Sequence, residues 1–340
     1  MTKILHVCSR KGFGGTQTVF AAHQKLFDLL NIDSTAITRK NIKFILTTRS
    51  NRDYLTYFRR IPIQVQPDYK RLRRLSDNFD VIWVHKPIDC FIWRKIAPSK
   101  KIVLVVHGFQ NTHLKLADYL VAVSVPVQQH LLDKGFTNVF LINNFLDKDI
   151  RTSNIKWNDK IQISSFGFFR RKKGFTDLVD ALSILENKLG YKNFQCSIFG
   201  KGRMFPFIKL KSLFKKTSKL NIKPWTHNIS EVLKSTDIVV IPSRSESFSM
   251  VAVEAMAAGC LVISTKCKGP EYIVNHEKDG ILVEKRNSHA MAEAIKNVID
   301  NPEKFSSLRM LAPETIRMKF STEQAKKCMF DFLQVISKDV

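Results

Sequence analysis

Between Asp237 and Gly259 the chain reads DIVVIPSRSESFSMVAVEAMAAG. The apolar run Ile238–Ile241 has no polar alternation, which suits a strand covered on both faces. Pro242 ends that run, a polar loop follows, and a helix is expected from near Ser249, with Ser247 or Ser249 as its cap. In open α/β sheets ligands bind beyond the carboxyl ends of strands. The first amides of a helix there lack partners and favour an anion. Glu246 falls in the loop and Glu254 in the helix, flanked by Val251, Ala252, Val253, Ala255 and Met256. An ionised carboxylate in such surroundings needs a ligand, a cation or solvent. A helix rim at which Glu254 simply reaches water is the plain alternative.

The same strand–loop–helix unit recurs outward in both directions. Apolar runs at Ile161–Phe166, Cys196–Phe199, Leu261–Ser264 and Ile281–Val283 read as strands of the same half. Ile4–Cys8, Phe44–Thr47, Val81–Val84, Ile102–Val106, Leu120–Val123 and Val139–Ile142 read as strands of the first half. Helical patterns such as Gln17–Leu30, Pro126–Lys134, Phe175–Leu189 and Ala290–Ile299 lie between them, and the chain is helical in pattern after Pro302. Alternating βα units predict doubly wound parallel sheets. A chain of 340 residues exceeds one hydrophobic core. The polar break around Asp147–Asp159 predicts domains over 1–150 and 151–320, with a last helical segment over 321–340.

Composition narrows the setting. Hydrophobic residues make up 44% and charged residues 25%, as in a folded globular protein rather than a disordered one. With 55 basic against 30 acidic residues, the formal charge of +25 points to an anionic partner. The six cysteines form no CxxC pair and mostly sit in apolar runs, which fits a reduced, cytoplasmic setting. Neither a secretory leader nor a membrane span is expected, since Met250–Ser264 is too short and carries Glu254.

Further loops carry polar chemistry at strand ends. Gly167-Phe168-Phe169-Arg170-Arg171-Lys172-Lys173-Gly174 is a glycine-bounded turn with four cations, able to hold a diphosphate or simply to face water. Gly200-Lys201-Gly202 follows the run ending at Phe199, and Gly12-Phe13-Gly14-Gly15 follows the first strand. A dinucleotide site after that first strand would want an acidic residue about 20 positions on. Thr38, Arg39 and Lys40 stand there instead, which disfavours a nicotinamide cofactor. His107-Gly108 ends the run Ile102–Val106, a position where a histidine is either structural or functional.

Together these stretches resemble the retaining GT-B glycosyltransferases of family 4, the glycosyl transferases group 1. The resemblance is strong over about residues 160–300 and patchy over 1–150. Glu246 and Glu254 fall at the family's E-x7-E spacing, and Glu254-Ala-Met-Ala-Ala-Gly259 is similar to its EAMAxG run, with Leu261 in place of a proline. Gly269-Pro270-Glu271 resembles its GPxE turn. The resemblance implies two facing Rossmann-like domains with a C-terminal helix crossing back to the first. It also implies a nucleoside-diphosphate sugar donor, chiefly a UDP-sugar, and a saccharide or lipid-linked saccharide acceptor of the cell envelope. No cofactor or metal is required on this reading. Glu246 would face the sugar, Glu254 the ribose, and Lys173 the phosphates, with Gly14, Gly15, Gly167, Gly200, Ser249 and Met250 lining the donor site. Phe168 stands where the family has an arginine, so Arg170 or Arg171 would supply that contact. His107 would touch the sugar.

Three stretches interleave basic with apolar residues: Tyr54–Arg60, Tyr69–Leu75 and Phe207–Lys216. Such segments suit either solvated helix faces or the surface of an anionic membrane, hence a peripheral location on the inner face. No nucleic-acid module accompanies them. Asp147-Lys148-Asp149 is formally a DxD, but metal binding there is not expected. Two other readings stay open: a different GT-B enzyme, such as a sugar-nucleotide epimerase or an inverting transferase, and a binding protein without turnover.

Overall fold

The computed structural model describes residues 2–9, 15–38, 70–109, 112–147 and 156–339. The expected strand at Phe44–Thr47, the basic stretch Tyr54–Arg60, Gly14, and Lys148 and Asp149 of the DxD lie outside these residues. The described chain divides into two compact units: 1–144 together with Ala325–Val340, and Phe145–Gln324.

Among the described residues the first unit holds one parallel sheet of six strands. These are β1 (Ile4–Cys8), β2 (Ser34–Thr38), β3 (Val81–Val84), β4 (Lys101–Val106), β5 (Tyr119–Ala122) and β6 (Val139–Leu141), in the order β2-β1-β3-β4-β5-β6. The C-terminal helix Thr322–Asp339 contributes Phe332 to this unit, where its ring lies 4.4 Å from that of Phe140 and 5.6 Å from that of Trp83.

The second unit holds another six-stranded parallel sheet. Its strands are β7 (Ile161–Phe168), β8 (Phe194–Lys201), β9 (Leu220–Lys223), β10 (Ile238–Ile241), β11 (Leu261–Thr265) and β12 (Ile281–Val283), in the order β12-β11-β10-β7-β8-β9. Successive side chains leave a strand on opposite faces. Ile238 and Val240 of β10 therefore join one hydrophobic cluster with Leu261 and Ile263 of β11, while Val239, Ile241 and Val262 join another on the opposite side. Both faces are covered, and that is why the strands read as unbroken apolar runs.

Two strands escaped the sequence reading. β2 and β9 sit at sheet edges with mixed exposure, and β9 alternates half-buried and exposed positions. An edge strand with one wet side needs no continuous apolar run. The helix expected over Phe175–Leu189 is regular only to Ser183, and its last turn, Ile184–Lys188, widens to π geometry.

Candidate functional site

In the second sheet the strand order reverses beside β7, whose neighbours are β10 on one side and β8 on the other. Loops that leave adjacent strands toward opposite faces open a crevice at their carboxyl ends. The glycine-bounded basic turn leaves β7 and the Pro242–Ser249 loop leaves β10, so the fold delivers both to this crevice.

The two loops are locked together. The amides of Arg244 and Ser245 donate to the carbonyl of Lys172, at 2.8 and 3.4 Å. Arg244 Nε donates to Asp177 Oδ2 at 2.8 Å while its Nη2 reaches the other carboxylate oxygen, a fork-to-fork pair between the β10 loop and the helix Phe175–Ser183. The hydrogen bond to Asp177 pushes the Arg244 guanidinium further up from its already high value. Gly174 has φ of 67°, and a Cβ there would lie 1.8 Å from the carbonyl oxygen of Pro242. Only glycine fits, both for the left-handed turn and for the close approach.

Inside this frame Lys173 Nζ pairs with Glu246 Oε1, both side chains mostly buried. The second carboxylate oxygen of Glu246 is buried and makes no hydrogen bond. A buried acceptor left open is costly and is the kind of atom a ligand hydroxyl satisfies. The backbone carbonyl of Glu246 accepts from the amide of Gly269 at 2.9 Å, which seats the Gly269-Pro270-Glu271 turn against the same loop. The charge of Glu246 is also felt next door: the Cys267 thiol is pushed up to about 11, chiefly by burial and then by that carboxylate.

Ser249 is buried and caps the helix Met250–Ala257, its Oγ accepting from the amide of Ala252 at 3.4 Å. The earlier first-turn amides, on Met250 and Val251, have no intrahelical acceptor by geometry. Glu254 is half-buried on the second turn of that helix. Gly200 is the next-to-last residue of β8, where a Cβ would meet the carbonyl oxygen of Gly167 at 2.2 Å, so the backbones of β7 and β8 touch at the crevice. Phe168, in the place of the family arginine, stacks on Trp225 with ring centroids 4.6 Å apart. The Arg170 guanidinium lies 5.3 Å from the Phe168 ring centre, and Lys201 Nζ lies 5.2 Å from that of Trp225. Arg170 is thus the cation beside the substituted position, and both it and Arg171 are exposed.

The sequence reading missed Arg244–Asp177 and Trp225. The first is a contact across 67 residues, and the second follows a short edge strand. Neither leaves a local pattern.

In the first unit, His107 follows β4 and belongs to a chain of histidines. His107 Nε2 is 3.1 Å from His85 Nδ1, and His85 Nε2 is 2.8 Å from His6 Nε2. His6 Nδ1 is 2.9 Å from Gln24 Oε1, and the Gln24 amide nitrogen donates to Asp28 at 3.2 Å and to Ser34 Oγ at 2.9 Å. Asp28 can only accept, which fixes the Gln24 amide and makes His6 Nδ1 the protonated nitrogen. Donor and acceptor then alternate: His85 carries its proton on Nε2, and so does His107. His6 and His85 are completely enclosed, and burial pushes the His6 imidazole down to about 3 and that of His85 well below its usual value. Near the end of β1, Ser9 Oγ donates to the enclosed Asp89, whose carboxyl burial raises to about 6.

Residues 147–314 match the family model described as glycosyl transferases group 1. Over those residues, just under half of the chain, the second unit is similar to the group 1 glycosyltransferases. A lipopolysaccharide core biosynthesis glycosyltransferase of Rhizobium meliloti is 26% identical over 179 residues, covering 51% of this chain and 49% of its own. The chain spans between 40% and 59% of the length of the first curated relatives it matches. Two solved structures share the fold across the whole chain. A glycosyltransferase from Rickettsia africae has a TM-score of 0.81 at 19% identity, covering 100% of this chain and 99% of that one. Anabaena HepE in complex with UDP and glucose has a TM-score of 0.79 at 15% identity, covering 98% and 100%. Both sheets are thus those of a GT-B glycosyltransferase fold.

Proposed function

We propose that the chain transfers a hexose or hexosamine from a nucleoside-diphosphate sugar, a UDP-sugar, to a saccharide or lipid-linked saccharide of the cell envelope, with retention at the anomeric carbon. The observation that carries this reading is the Lys173–Glu246 pair with its open carboxylate oxygen, set between the carboxyl ends of β7 and β10. In transfer the bond from the anomeric carbon to the diphosphate breaks, and the acceptor oxygen takes its place. Negative charge then grows on the leaving diphosphate. Lys173, Arg170 and the amides of Met250 and Val251 are the groups that would stabilise it. The Glu246 oxygen without a partner would accept a sugar hydroxyl and orient the ring. Following the family resemblance, Glu254 takes the ribose and His107 the sugar. The UDP and glucose held by the Anabaena neighbour and the lipopolysaccharide role of the Rhizobium relative support the donor and acceptor classes. With Lys173 as the cation at the diphosphate, transfer is expected to continue in EDTA.

The test is a screen of UDP-, GDP- and ADP-sugars for thermal stabilisation of the protein, followed by donor turnover with wild type and Glu246→Ala. One nucleotide class should stabilise the protein, as any ligand of the native state must. Its turnover should fall about 100-fold or more in Glu246→Ala, the usual scale for a lost transition-state contact. Equal turnover by the two proteins, or no response to any nucleotide sugar, would remove the reading.

A further inference from the structure

The helix Phe205–Phe214 is turned inside out. Of its ten residues only Ile208 is buried. At 3.6 residues per turn, Phe207, Leu210, Leu213 and Phe214 fall on the side opposite Ile208. They are 62%, 53%, 65% and 78% exposed. Lys209 borders this apolar face on one edge, with Lys211 and Lys215 on the other, and Lys216 follows in the left-handed conformation with φ of 49°. The helix is held in this orientation. It packs on the helix Phe175–Ser183, where Asp180 pairs with Lys211 at 2.5 Å. Ser183 Oγ and Asn187 Nδ2 both donate to the carbonyl of Lys215, at 3.2 and 2.8 Å.

An apolar face of this size, rimmed by cations, is the arrangement of a helix lying in a lipid headgroup layer. We propose that this helix docks the second unit onto an anionic bilayer, with Phe207, Leu210, Leu213 and Phe214 entering the acyl boundary and Lys209 and Lys216 meeting lipid phosphates. Charge selects this occupant. From Asn187 to Ser230 the chain carries ten basic residues and no acidic one. A second copy of the same face would bring like charges together, whereas an anionic surface neutralises them. The apolar stripe, for its part, offers no hydrogen bonds for nucleic-acid phosphates.

The test uses the full chain and sedimentation with vesicles of phosphatidylcholine alone or mixed with phosphatidylglycerol. Wild type should sediment with the mixed vesicles at low salt and be released at high salt. The double variant Leu210→Ser, Phe214→Ser should partition at least about tenfold more weakly, since each side chain leaves an apolar environment. Lys209→Gln, Lys216→Gln should lose about fivefold per lysine. All four positions face solvent, so both variants should keep the wild-type unfolding temperature and its response to nucleotide sugars, which separates this inference from the transfer reading. Several outcomes would overturn it: no sedimentation with mixed vesicles, equal sedimentation with neutral ones, or variants that partition like wild type. A dimer in the ultracentrifuge abolished by Leu210→Ser, Phe214→Ser would instead assign the face to a second copy. RNA binding lost in the variants while vesicles are ignored would assign it to nucleic acid.

Discussion

Replacing His23 by phenylalanine should stabilise the first unit and flatten its response to acid. His23 sits on the helix Gly15–Leu29, completely enclosed, with its ring 5.7 Å from Trp83 and 5.3 Å from His85. Neither ring nitrogen has a hydrogen-bond partner. Burial, followed by the positive fields of His6 and His107, pushes its pKa well below the usual value. His6 and His85 are shifted in the same direction by burial. A histidine whose folded pKa is lowered binds fewer protons folded than unfolded, so its neutral form supports the fold above about pH 6.5 and stability drains as pH falls below that. At about pH 5 His6, pushed down to about 3, costs about 2 kcal/mol, and His23 and His85 act in the same direction. Asp89 works the other way: with its carboxyl raised to about 6, it binds a proton in the folded state first and returns only about 1 kcal/mol at the same pH. The three histidines outweigh the one carboxyl, and acid costs the first unit stability.

Phenylalanine keeps the edge-to-face packing, removes two buried unsatisfied nitrogens and cannot charge. A gain of about 1–3 kcal/mol near neutral pH follows from the first change. A further gain near pH 5 follows from the second, because the group that must stay neutral in the fold is gone. Urea unfolding at both pH values, read by hydrogen exchange of the β1 and β3 amides, localises the effect to this unit. If His23→Phe unfolds more readily than wild type at neutral pH, or loses stability on acidification as steeply, then His23 is not a neutral, unpartnered group and the reasoning fails.

Two further outcomes are expected. Arg309 is enclosed, donates through Nε to the carbonyl of Gly259 at 2.8 Å, and has Nη1 3.7 Å from Asp237, which also accepts from the amide of Gln162 at 2.8 Å and from Asn158 Nδ2 at 2.9 Å; Arg309→Leu should cost about 3 kcal/mol in denaturant unfolding by leaving that carboxylate without its cation, and an unchanged midpoint would show that the Gln162 and Asn158 contacts suffice. Long-range nitrogen–proton NMR of the free protein at neutral pH should find His6 protonated on Nδ1 and His85 and His107 on Nε2; the opposite tautomer at His85 would break the alternation that begins at Asp28.

The sequence by itself determined the alternating units, the two sheets, and the loops that bear Lys173, Glu246 and Ser249, because these rest on local signals: an unbroken apolar run, a proline stop, a capping serine, glycines bounding a turn. Glu246 and Glu254 were picked out by the resemblance to the family's E-x7-E spacing. Only the tertiary structure decided that β10 lies beside β7, and with it that Lys173 meets Glu246 across 73 residues of chain. Strand neighbours are chosen by packing between distant segments, so no local pattern announces them. The histidine chain joins β1, the segment after β3 and the segment after β4, and of its members the sequence singled out His107 alone, by its place at a strand end. The basic stretch Phe207–Lys216 could have turned either face to the core, since apolar side chains surround the whole helix. Its neighbours made the choice by burying Ile208 and leaving the phenylalanines and leucines outside.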